Sequence, residues 1–118
     1  MNPIGCKELY FLLDHDGAII AYQEKEQSWA GALAFSSEER ARHFLAASHL
    51  EVAEIVALDS EDSPNLRALI TTLKRRPIRY LLLDLDYQTG ACRQADFAGD
   101  SLGAIRERQF VPAHTHGR

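Results

Sequence analysis

The chain is poor in several residue types. It has two cysteines, four prolines, one tryptophan and one methionine in 118 residues. Two cysteines, Cys6 and Cys92, cannot build a disulfide scaffold, and they lack metal-ligand spacing. Neither has the adjacent histidine or helix start that lowers a thiol pKa, so neither is expected to be a nucleophile. No apolar run approaches the ~20 residues that a membrane-crossing helix needs. Met1 to Lys7 has no basic region followed by an apolar core, so no secretory signal is read there and a cytoplasmic setting is expected. There is no glycine-rich phosphate loop, because Gly99-x-x-x-Gly103 lacks both the strand context and the lysine. Repeats and low-complexity stretches are absent.

What is present is ordinary globular composition: 46% hydrophobic and 25% charged residues. The length fits one domain, expected over 1–110, with 111–118 as a frayed tail. The formal net charge of -4 argues against a nucleic-acid partner. The charge is divided unevenly. Residues 1–63 sum to -8 and residues 64–118 to +4. Such a dipolar chain can associate with itself or with charged partners, though the plainer reading is that the two signs interleave on the folded surface.

The apolar pattern alternates between a period near 2 and one near 3.6. Glu8 to Asp14 reads as a strand. Asp16-Gly17 then predicts a tight hairpin, with Ala18 to Tyr22 returning antiparallel. Trp29 to Phe35 is a third strand with two unlike faces. Trp29, Leu33 and Phe35 lie on one, and Ala30, Ala32 and Ala34 on the other, where a helix can approach closely. Ser36-Ser37-Glu38-Glu39 fits a helix-capping box, and Ala41, Phe44 and Leu45 form an apolar stripe. Val52 to Asp59 reads as a central strand. Ser63-Pro64 opens a second helix with Leu66, Leu69, Ile70 and Leu73 buried, closed by Lys74, Arg75, Arg76 and Pro77. Tyr80 to Tyr87 is a strand buried on both faces, and Gln88-Thr89-Gly90 turns into a short strand, Ala91 to Gln94. A weak last helix is expected over roughly 97–110. The predicted order is β-β-β-α-β-α-β-β-(α), an α/β domain at the border of α+β. Its mixed sheet is expected to be parallel at its centre, because two crossover helices join strands that should lie side by side.

Gly31 to Leu85, about half the chain, resembles the SseB-like domain family. The step from strand to helix reads Ala34-Phe35-Ser36-Ser37-Glu38-Glu39. The middle strand is Val52 to Leu58, and the Leu-rich helix carries Leu66, Leu69 and Leu73. Where the family commonly has Asn-Pro after its last strand, this chain has Asp84-Leu85-Asp86-Tyr87. The resemblance implies a small non-enzymatic α/β domain and carries over no catalytic residue.

Three predicted strands end in aspartate: Asp14, Asp59 and Asp84. Carboxylates at the carboxyl ends of parallel strands are placed to hold Mg²⁺. Leu13-Asp14-His15-Asp16-Gly17 also resembles the first motif of haloacid-dehalogenase-like phosphatases, which implies Asp14 as nucleophile and Asp16 as general acid. Against it, Ala18 stands where that motif has Thr or Ser, and the later motifs are missing. Asp14 and Asp16 are better explained as turn residues, since an Asp-Gly hairpin accounts for Asp16 by itself. No metal site and no cofactor is expected. His114 and His116 have no third ligand, and His15 is a lone turn histidine.

The leading expectation is therefore a non-enzymatic protein-interaction domain that self-associates, as a homodimer, through the large apolar face of Trp29 and Leu33. The alternative is a Mg²⁺-dependent phosphoryl-transfer enzyme using Asp14 and Asp16. Arg75, Arg76 and Arg79 are candidate phosphate contacts and carry a third, weaker reading as a nucleic-acid-binding module, although basic residues at a helix end also simply complement its dipole.

Overall fold

A computed structural model describes residues 7–23, 30–59 and 64–109. Seven strands form one sheet. They are β1 (Glu8–Leu13), β2 (Ala21–Gln23), β3 (Ala30–Phe35), β4 (Glu54–Asp59), β5 (Ile78–Leu83), β6 (Ala91–Ala98) and β7 (Ser101–Gln109). Two helices, α1 (Glu38–Ser48) and α2 (Pro64–Lys74), complete the fold. The sheet order is β4-β1-β3-β5-β6-β7, and β2 pairs with β3 beside β1.

This corrects the expected architecture. The domain is α+β, and its mixed sheet is mostly antiparallel rather than α/β with a parallel centre. Among the described residues only β3 and β5 pair parallel. The two crossovers do join strands of like direction, but those strands are not neighbours. β1 enters between β3 and β4, antiparallel to both, with Tyr10 opposite Phe35 on one side and Ala57 on the other. That insertion moves β4 from the expected centre to an edge.

The second correction lies at the C-terminal end. The weak helix expected over 97–110 is strand β7, hairpinned onto a β6 that runs on to Ala98. Gly99, at φ 66°, and Asp100 make the connection. A Gly-Asp pair between two alternating runs is a hairpin signal, and positive φ costs glycine nothing.

The third correction concerns the Asp16-Gly17 turn. It closes an isolated Leu13–Ile19 bridge, but β2 then pairs along β3 instead of running back along β1. Ile20 makes the transfer: its N–H donates to the Leu12 carbonyl, and its carbonyl accepts from the Leu33 N–H.

The helices pack on opposite faces, as the alternation in β1 and β3 dictates. Leu9, Phe11, Ala30, Ala32, Ala34, Leu81 and Leu83 form one core with Leu73 of α2. Leu12, Leu33, Phe35, Tyr80 and Leu82 form the other with Ala41 and Phe44 of α1. The Phe35 and Phe44 rings meet at 5.4 Å between centroids. Gly31 is a close-approach position. A methyl group there would stand 2.5 Å from Tyr80 Cε1 and 2.8 Å from Leu82 Cγ, so the Tyr80 ring needs a glycine beneath it.

Candidate functional site

The carboxyl ends of the parallel pair β3 and β5 are tied together by one carboxylate. Asp84 follows β5 directly. Its backbone is left-handed, at φ 54°, a region that aspartate tolerates better than most residues. Its Oδ1 accepts from the Ser36 backbone N–H and its Oδ2 from the Ser36 hydroxyl, each at 2.8 Å. Ser36 is therefore occupied, and Ser37 is the cap of α1, accepting from the Arg40 N–H at 3.2 Å.

Beside Asp84 opens a cleft of about 660 Å³ whose lining includes Arg40, Asp84, Cys92, Arg93, Glu107 and Arg108. Arg93 faces Asp84 at 3.8 Å. Arg108 donates to Gln94 Oε1 at 2.7 Å and lies over the Tyr80 ring. Gln94, buried on the sheet face, donates to Asp96 at 2.6 Å, and Asp96 in turn faces Arg106 at 3.6 Å. Arg108, Gln94, Asp96 and Arg106 thus form one linked polar network.

Asp14 sits at the other end of the sheet. In the β1–β4 ladder Glu8 stands opposite Asp59 and Leu13 opposite Glu54. Asp59 and Asp84 therefore share one end, and Asp14 is at the far one. The Asp14 Oδ1 accepts from the backbone N–H groups of Asp16 and Ala18, at 2.9 and 3.0 Å. It holds the turn that Gly17 completes at φ 80°. Asp16 is exposed. Among the described residues, no three His, Cys, Asp or Glu side chains gather where they could hold a metal ion.

Of the candidate contact residues that are described, Leu33 does not reach the surface and the three arginines do. Leu33 is buried between Tyr80 and α1 and offers nothing to a partner. Trp29 lies outside the described residues, as do Cys6, Ser63, His114, His116 and the expected tail. Arg75, Arg76 and Arg79 are exposed, but Arg76 donates to the Ile19 carbonyl at 3.0 Å and so holds the end of α2 against the β1–β2 connection.

Sequence reasoning missed the two sheet edges. Among the described residues no strand pairs with the outer side of β4 or of β7. The signal for β7 was its alternation after Gly99-Asp100. For β4 no local signal existed, because its place depends on where β1 inserts. No described helix is long and apolar enough to cross a membrane. Searches of family models, curated proteins and solved structures find no match to this chain.

Proposed function

We propose that this chain is a non-enzymatic interaction domain that contacts a protein partner through an open sheet edge. The observation that carries this reading is β4, an edge strand whose outer hydrogen-bonding groups are met by no other described strand. An unpaired edge is a template for strand addition. The resemblance to the SseB-like family points the same way. The Asp14 Oδ1 bonds to the Asp16 and Ala18 N–H groups give Asp14 a turn-holding role that needs no chemistry, and Ala18 stands where the phosphatase motif has Thr or Ser. The buried free thiol of Cys92 suits a reducing, cytoplasmic setting.

The test is a generic phosphatase assay with and without Mg²⁺, on the native chain and on Asp14→Asn. The expected result is no turnover that depends on Asp14. Turnover abolished by Asp14→Asn overturns the reading.

A further inference from the structure

We infer that the occupant of the β4 edge is β4 of a second copy, paired antiparallel about a two-fold axis through Val56, so that two sheets join into one. This rests on the strand-contact reading above and names its partner.

The first argument is the state of the edge. Proteins blunt exposed edges with lysine, proline, bulges or charge. β4 reads Glu-Ile-Val-Ala-Leu-Asp, with no basic residue and no proline. All six residues pair with β1 without a register shift. Ile55, Val56 and Leu58 are only half-buried, so a strand laid alongside would complete their cover.

The second argument is self-complementarity. A two-fold axis perpendicular to the sheet keeps each copy's faces aligned, so opposed residues share a face. Centred on Val56, Val56 meets the second copy's Val56, Ile55 meets Ala57, and Glu54 meets Leu58. The central pairs set apolar groups against apolar groups, Glu54 stands against Leu58, and neither Glu54 nor Asp59 has a like charge directly opposite.

The third argument is the contrast with β7. The same operation there, centred on residues 106, 107 or 108, sets arginine against arginine. A register centred on Ile105 opposes no like charges, but it sets Ala104 against Arg106 and Leu102 against Arg108 and runs through Gly103 and the irregular pairing between Ala95 and Phe97. The β7 edge is basic along its second half and irregular in its first, whereas β4 is regular and carries charge only at its two ends. Association therefore closes at two copies instead of running on into a fibre.

Sedimentation velocity over a concentration series tests this. The native chain is expected to double in mass at high micromolar concentration. Ala57 is exposed, so Ala57→Lys leaves the monomer folded, as circular dichroism checks, while two lysines at the joint weaken dimerisation by roughly tenfold or more. Arg106→Glu leaves it unchanged. In a Cys6→Ser background, mild oxidation cross-links Val56→Cys chains into covalent dimers and does not cross-link Glu54→Cys chains. A monomer at every concentration overturns the inference, as does a dimer indifferent to Ala57→Lys. Cross-linking at 54 but not at 56 overturns it as well. These failures leave the non-enzymatic reading standing, since that reading fails only on Asp14-dependent turnover.

Discussion

Asp84 and Ser36, 48 residues apart, are joined by two hydrogen bonds from a single serine to a single carboxylate. The pair locks the end of β5 to the step from β3 into α1. Its acceptor sits on a left-handed backbone, where alanine would be strained and asparagine tolerated. Asp84→Ala is expected to cost about 2–3 kcal/mol, because it removes both acceptors and leaves a part-buried N–H unmet. Asp84→Asn should cost about half as much. Urea unfolding measures both. In a double-mutant cycle, Ser36→Ala and Asp84→Asn should be non-additive.

Gly31→Ala is expected to destabilise the fold by about 2–3 kcal/mol, since overpacking a core forces side chains from their rotamers. The Tyr80 ring and Leu82 block the added methyl from two sides. Near-ultraviolet circular dichroism should report a displaced tyrosine. A variant as stable as the native chain would mean that Tyr80 has another place to go.

The turn at the other end of the sheet gives a gentler effect. At Gly17 a Cβ meets nothing within 4 Å, so Gly17→Ala pays only for the positive φ, about 1 kcal/mol. Asp14→Ala, which frees two backbone N–H groups, should cost about 1–2 kcal/mol. Thermal melts of the two variants separate backbone strain from lost bonding.

Millimolar Mg²⁺ should leave the melting temperature unchanged. Asp14 is at the opposite end of the sheet from Asp84, and Asp84 is already bonded to Ser36. A rise in melting temperature that disappears in Asp84→Asn would reveal a metal site, because a ligand that binds only the folded state must stabilise it.

The helices were legible because their signals are local. Ser-Ser-Glu-Glu starts α1, and Ser63-Pro64 marks the place where α2 begins. The strands' inner faces were legible too, from alternation. The sheet order was not. Nothing near β4 says that β1 inserts beside it, since antiparallel pairing between residues 8–13 and 54–59 is set by the whole sheet's burial. The β7 error has a different origin. Leu102 and Ile105 are three apart, which suits a helix, but the irregular pairing between Ala95 and Phe97 shifts the strand's alternation so that both pack against the same core. The site was half legible: Asp84 stood out as a strand-end carboxylate, but its partner Ser36 read as a helix cap.

The sheet order has a consequence for how the chain comes together. β4, β1, β2 and β3 all lie before residue 60, and β5, β6 and β7 after residue 77. Among the described residues a single ladder, β3 against β5, joins the strands of the two groups. On a growing chain, the first group has every strand it needs before the second emerges. The second is a β5–β6–β7 meander that forms from local contacts. The slow event is then the meeting of two preformed halves along one parallel seam, where non-local pairing is reached last.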